Sequence, residues 1–299
     1  MKISKNKVKK VMLLIILVFS MGNFSFGQED LLQILEEEEK GEKEFIISTF
    51  KGTRMINGHS METRSKGALE FIISHRFGRL NSGVYNLFGL DDANIRIGLD
   101  YALTDRFMVG VGRSSFQKVY DGYAKYRAIR QGNGGSPVTV TLYSNMSIKT
   151  LDWPNPNREY KPSDRYAFTN QLFISRKFSN SFSLQVMPTI VHRNMIPTAA
   201  EENLIYAIGI GGRQKLTNSV AITFEYYHQF NNYSPNGYKN PIAIGFDIET
   251  GGHVFQLHFT NSRATFERGF ITETRGDFFK GDIHFGFNIT RNFQLNSGK

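Results

Sequence analysis

The segment Asp282-Ile283-His284-Phe285-Gly286-Phe287-Asn288-Ile289-Thr290 alternates without a break, with large apolar side chains at odd positions and glycine or polar ones at even positions. A repeat of two is that of a β-strand, whose side chains point alternately to opposite faces. One face here carries Asp, His, Asn and Thr, which are costly to bury unless each finds a partner. The pattern recurs. Ile95, Ile97, Leu99 and Tyr101 oppose Arg96, Gly98 and Asp100, and Val220, Ile222, Phe224 and Tyr226 oppose Thr223 and Glu225. Ile242, Ile244, Phe246 and Ile248 oppose Gly245, Asp247 and Glu249, and Phe255, Leu257 and Phe259 oppose Gln256, His258 and Thr260. A sheet closed on itself, with lipid outside and polar groups inside, satisfies both faces at once. A soluble all-β sandwich is the other solution, and it would need partners for its interior acids.

The start of the chain agrees with export. Lys2, Lys5, Lys7, Lys9 and Lys10 precede the apolar run Val11–Phe19, and Ser25 and Gly27 stand like the small residues of a cleavage site. This is the layout of a secretory signal peptide, with an apolar core far shorter than the ~20 residues of a spanning helix. Cleavage is expected near Gly27. The chain has no Cys, which excludes a disulfide framework and a lipid-anchored cysteine. Its +9 charge includes the five signal lysines, so the mature protein carries +4 and the case for nucleic acid as a partner weakens. Three parts follow: a signal peptide over 1–27, an acidic periplasmic leader over 28–48, and an outer-membrane barrel over 49–299. The leader, with Leu31, Leu32, Ile34 and Leu35 beside Glu36–Glu39, reads as a solvated segment or as a plug or docking tail for a periplasmic protein.

Along the barrel region the alternation predicts about twelve strands of about 9–11 residues. The turns Thr104-Asp105, Ser179-Asn180, Thr217-Asn218 and Glu249–Gly252 are short, whereas Lys149–Asp164, Asn194–Asn203, Asn231–Asn240 and Asn261–Phe279 are long. Short turns at one end and long loops at the other is the barrel convention, and Tyr101, Phe107, Phe178 and Phe182 beside the short turns suit a headgroup-level girdle. Several features depart from the pattern. Pro188 inside a strand calls for a bulge or an end, Asn170 falls in line with Phe168 and Leu172, and the Phe116–Gly122 link is short for the long-loop side. Phe50–Arg64 lacks periodicity and reads as an inward-folded segment or a short first strand. Asn261–Thr274 reads as a loop with a short helix, exposed or folded into the mouth.

Candidate chemistry is sparse. The seven histidines show no metal-ligand spacing, and His253 and His258, five apart, face opposite ways on a strand. No metal and no cofactor is expected. An outer-membrane lipid hydrolase would need Ser, His and Asn together at the lipid-facing surface. Only His59-Ser60 and His258-Phe259-Thr260-Asn261-Ser262 are suggestive, and neither puts His and Ser two apart on one face. Gly132–Gly135 and Gly209–Gly212 open no helix, which argues against phosphate cradles.

Gly52-Thr53-Arg54 with Asn57-Gly58-His59-Ser60, Leu87-Phe88-Gly89-Leu90-Asp91-Asp92, and His253-Val254-Phe255-Gln256-Leu257-His258 together resemble a family of Gram-negative outer-membrane β-barrel proteins classed as a domain of unknown function. The resemblance spans about Thr49 to Leu295. It implies location and fold, and it carries no reaction or catalytic residues.

The expectation is an all-β protein, a closed antiparallel transmembrane barrel of about twelve strands in the outer membrane of a Gram-negative bacterium, with lipid as its surroundings. The expected function is a passive pore or transporter for a small solute rather than an enzyme. Arg96, Asp100, Glu225, Asp247, Glu249, Gln256, His258, Asp282 and His284 are the expected lumen-lining residues. The alternative is a closed structural barrel serving a periplasmic partner.

Overall fold

The computed structural model describes residues 45–46, 48–153, 159–231, 237–250 and 253–295. The expected signal peptide, the Glu29–Glu44 leader and the C-terminal tail lie outside the described residues.

Among the described residues, twelve strands carry the fold. They are β1 (Ala68–Arg79), β2 (Ala93–Ala102), β3 (Phe107–Ser114), β4 (Val119–Ile129), β5 (Thr139–Lys149) and β6 (Tyr166–Lys177). β7 (Phe182–Arg193), β8 (Leu204–Lys215), β9 (Val220–Gln229), β10 (Ile242–Thr250), β11 (His253–Thr260) and β12 (His284–Gln294) follow. Each pairs antiparallel with its neighbours in sequence, and β1 pairs with β12 from Ala68↔Gln294 to Arg79↔His284. The ladder therefore closes, and no edge is left to pair with another chain. No helix among the described residues is long and apolar enough to cross a membrane.

Burial alternates along the strands as the sequence period requires. Ile95, Ile97 and Leu99 on β2, Ile244 and Phe246 on β10, and Phe255, Leu257 and Phe259 on β11 are exposed on the outer face. Their counterparts Arg96, Asp100, Glu225, Asp247, Gln256 and His258 are buried on the inner face. Water would not tolerate so wide an apolar belt, since monomeric proteins seldom expose more than a few hundred Å² in one patch. Acyl chains accept it, and strands of 8–12 residues suit the span.

The departures now have physical accounts. β7 runs straight through Pro188 with neither bulge nor end. Its pairing with β6 keeps one register from Gln171↔Thr189 to Ile174↔Val186 and omits the rungs between, where the missing donor falls. Outward-facing Asn170 accepts a hydrogen bond from Ser144 Oγ on β5 (2.9 Å), so the polar pair is satisfied on the lipid face. The β3–β4 link is Ser115–Lys118, made compact by positive φ at Gln117 and Lys118. It places Gln117 beside a segment that enters the lumen from the same end. At the opposite end, Phe178 and Phe182 flank a short turn with ring centroids 5.8 Å apart.

Candidate functional site: two inserts in one lumen

The segment before β1 has no strand period because it is not part of the wall. It turns back at the short-turn end and enters the lumen as a small hairpin. Ser60 N donates to Thr53 O and Met55 N to Gly58 O (2.9 Å each), with Arg54 bridged to His59. Every residue from Gly52 to Thr63 is buried. The backbone of this hairpin has almost no sheet to pair with, so its polar groups must be met by wall side chains.

Six strands contribute. On β9, the Glu225 carboxylate accepts from Gly58 N (3.0 Å) and Ile56 N (3.3 Å). On β11, Gln256 Nε2 donates to Met55 O (2.7 Å), and on β12, Asn288 Nδ2 donates to Ile56 O (2.9 Å). On β7, Gln185 accepts from Met61 N (2.7 Å) and donates to His59 O (2.9 Å). Arg76 of β1 holds Asn57 Oδ1 (3.1 Å), and Lys125 of β4 donates to Ser60 O (3.3 Å). Thr53 and Arg64 both donate to Glu70 of β1. Two glycines make the fit possible. A Cβ on Gly58 would lie 2.8 Å from Tyr227 Oη, and one on Gly211 of β8 would run into the Met55 sulfur.

The second insert is the β11–β12 connection, which folds inward from the long-loop end and carries the short helix α1 (Glu267–Thr272), all six residues buried. Phe266, Phe270 and Ile271 are fully buried in a cluster with Tyr143, Phe173, Met187, Val191 and Tyr227 of the wall. Phe270 meets the Tyr227 ring edge-on at 5.6 Å. Asn261 staples the base of the loop, donating to Gly276 O (2.8 Å) and accepting from Ile242 N (2.7 Å). Arg268 pairs with Glu273 (2.9 Å) and donates to Gln117 (2.6 Å), which explains the compact β3–β4 link.

The inserts meet at mid-lumen. Glu267 of α1 lies 3.7 Å from Arg54 and 3.6 Å from His59 of the hairpin, and His59 sits between the rings of Tyr123 and Tyr143 (4.4 and 4.6 Å). Burial, with Arg54 and Lys125 adding like charge, pushes the His59 imidazole well below its usual value. Burial likewise pushes the Glu267 carboxyl up, against the pull of Arg54. The His59 contact is therefore between a neutral ring and a carboxyl, and Arg54 supplies the charge. A cavity of 190 Å³ lies at the short-turn end beside Lys51, Glu62 and Arg127, and one of 130 Å³ at the long-loop end beside Lys149, Trp153 and Arg275.

The residues singled out in the sequence take different places. Glu225 and Gln256 bind the hairpin directly. Asp247 accepts from Gln256 (2.9 Å) and faces Arg213 (3.8 Å). Arg96 is paired with Asp121 (2.9 Å). Asp100 and His258 are fully buried on the inner face without a direct protein hydrogen bond. His284 holds Phe77 O through Nδ1 (2.8 Å). Glu249 sits at the short-turn mouth on Lys51 (3.0 Å). Asp282 precedes β12 and lies at the long-loop rim, bonded to Arg79 (3.2 Å) and Asn81 (2.9 Å). Arg76, Asp121, Lys125, Gln185 and Asn288 were missed, though each occupies the wet face of its strand. The suggestive pair His59-Ser60 lies inside the lumen, where Ser60 Oγ donates to Gly52 O (2.6 Å).

A family model described as "Membrane bound beta barrel domain (DUF5777)" matches residues 50–293. Among curated proteins none matches. Solved structures with similar folds include the NanC porin (8% identity, 74% of this chain and 97% of that one, TM-score 0.46). An outer-membrane channel from Pseudomonas putida F1 (11%, 78% and 98%, 0.47) and LpxR from Salmonella typhimurium (10%, 75% and 99%, 0.37) are others. At these identities and scores the likeness is no guide to what this chain carries or binds.

Proposed function

The chain belongs to the family of membrane-bound β-barrel domains, and from that premise we propose that it is a gated pore of the outer membrane, passive toward a small solute, with the Thr53–Ser60 hairpin as its gate. Arg96, Asp100, Glu225, Asp247, Gln256, His258 and His284 would line the opened path, with Glu249 and Asp282 at its two ends. One observation supports this above the rest: side chains from six strands hold a segment that is not wall. A barrel meant only to be solid can fill itself with side chains of its own strands. Here the wall instead presents donors and acceptors to a separable piece of chain, and water or a polar solute can replace each of those bonds. A neutral hydrogen bond in such a place is worth about 0.5–1.5 kcal/mol net and one to Glu225, Arg76 or Lys125 about 1.5–3 kcal/mol, so the hold is shared and no single bond locks the gate.

Burial of the hairpin and of α1 favours a second reading, a permanently closed barrel that serves a periplasmic protein through the Glu29–Glu44 leader. Planar-bilayer recording separates the two. The expected result is rare openings in the native chain, frequent openings when Glu225→Gln and Gln256→Ala are combined, and silence when Met55→Cys and Gly211→Cys are oxidised to a disulfide, reversed by reductant. The absence of native cysteines keeps that lock specific. If the native and the weakened barrel are both silent, and liposomes take up no solute, the closed reading replaces the gated one.

A further inference from the structure

We propose that the solute class is a small anion, a carboxylate or a phosphate, captured first in the cavity at the long-loop end; the onward passage rests on the pore reading, and the capture does not. From residue 45 onward the sequence holds 29 Lys and Arg against 19 Asp and Glu. Along β2, β10 and β11 the outward face is apolar, and inside the lumen the bases are largely matched: Arg96 by Asp121, Arg54 by Glu267, Arg213 by Asp247. The two cavities that flank the inserts are where bases prevail, with nine basic residues against four acids in their walls. Rings of Arg and Lys at a constriction make a pore prefer anions, because a low-dielectric wall focuses their field into the water path.

The two ends differ in how free those charges are. At the short-turn end Lys51 is paired with Glu249, Arg64 with Glu70, and Arg127 with Glu62, which leaves only Arg130, stacked over the Phe45 ring at 4.5 Å, without an ion-pair partner among the described residues. At the long-loop end Arg268 is paired with Glu273 and Arg193 with Glu201, but Lys149, Arg165 and Arg275 have no ion-pair partner among the described residues. The Arg165 guanidinium is pinned by the carbonyls of Lys149 (2.8 Å) and Leu151 (2.7 Å) and lies 3.9 Å from the ring centroid of Trp153. Asp152 and Asp164 also line the space, the latter turned to Lys161 N, so three bases face two carboxylates; the excess positive charge, carried by a held guanidinium, an ammonium and a second guanidinium around 130 Å³, favours an oxyanion over a cation.

Trp153 is the only tryptophan of the chain and lines this cavity, so its emission reads the site directly. The purified full-length protein is titrated at constant ionic strength with gluconate, inorganic phosphate, choline and glucose. The expected result is a saturable change with gluconate or phosphate alone, the better of the two naming the head group, and an apparent Kd raised about tenfold in Lys149→Ala and in Arg275→Ala. Heat-modifiable gel mobility confirms that the variants are folded. No saturable anion response, an equal response to choline or glucose, or variants that titrate like the native chain would overturn the capture site. Reversal potentials in a salt gradient, recorded on the Glu225→Gln, Gln256→Ala barrel, test the rest: anion preference supports the inference and cation preference ends it. A silent bilayer with an intact Trp153 titration removes the pore and leaves the site standing.

Discussion

The hairpin and the α1 loop occupy the same lumen and share one apolar cluster, in which Met55 of the hairpin joins Phe266, Phe270 and Ile271 of the loop, yet they differ in how much of their hold is polar. Wall carboxylates, amides and a guanidinium hold the hairpin through its own backbone, and water could take over each of those bonds. Phe266, Phe270 and Ile271 hold the loop among wall aromatics and Met187, contacts that water cannot imitate. An insert held largely by exchangeable bonds is the better candidate to leave and return, and for the hairpin the buried side chains of Met55 and Ile56 are the apolar contacts that release must break. The lesson is that burial alone does not distinguish a gate from a filling.

The strongest way to break this contrast is Phe270→Ala. The side chain is fully buried, so its truncation should cost about 3–5 kcal/mol and lower the denaturant midpoint of the folded band, with little change in opening per folded molecule. A fully stable F270A barrel that conducts freely would make the loop the gate. Next comes Gly58→Ala, whose methyl group must intrude on Tyr227 Oη. About 1–3 kcal/mol should be lost from the shut state, seen as more frequent openings and as a denaturant midpoint lowered by no more than the gap between shut and open. Asn288→Ala sharpens the comparison from the wall side. It removes a donor to Ile56 O at a cost of about 1 kcal/mol, and the same recording should show a modest rise in opening.

The smallest expected effect is that of pH, and it has two arms of opposite sign at the contact between the inserts. The shut lumen keeps the His59 imidazole well below its usual 6.5, so a released hairpin binds a proton that the shut one refuses. Acidification below about pH 6.5 should then favour opening. Glu267, raised above its usual 4.5, does the reverse: the shut state keeps a proton that an opened one has lost, and acidification favours closure. His59→Gln removes the first arm. Single-channel records of H59Q, taken from pH 7 down to the usual carboxyl range, should show opening fall and never rise, and a variant that still opens on acidification would take His59 out of the account.

Much of the barrel was legible because one signal, a period of two, sets both the element and the face. It located the β2, β9, β10, β11 and β12 faces, and with them Glu225, Gln256 and His258. It failed where a second demand overrode it. Asp121 and Lys125 lie on β4, whose outer face alternates Tyr120 and Tyr126 with the small Gly122 and Ala124 while Tyr123 sits among the polar residues inside, so the alternation was diluted. The lumen roles of Arg76 and Asn288 depend on a partner that no strand pattern could announce. Asp282 continued the alternation of β12 in sequence, yet its carboxylate serves the loop, where Asp277 N and Asn81 bind it, and the strand starts only at His284. For the hairpin, the absence of periodicity was itself the clue, since a segment that is all backbone turn and wall contact has no face to repeat.

The hairpin also bears on assembly. It sits immediately before β1 in the chain, and its partners include Glu70 and Arg76 of β1, Gln256 of β11 and Asn288 of β12. These straddle the seam where the first strand must find the last, a contact separated by nearly the whole sequence and costly in loop closure. The same few atoms that fill the bore thus also tie together the first staves and the last, on both sides of the seam that closes the cylinder.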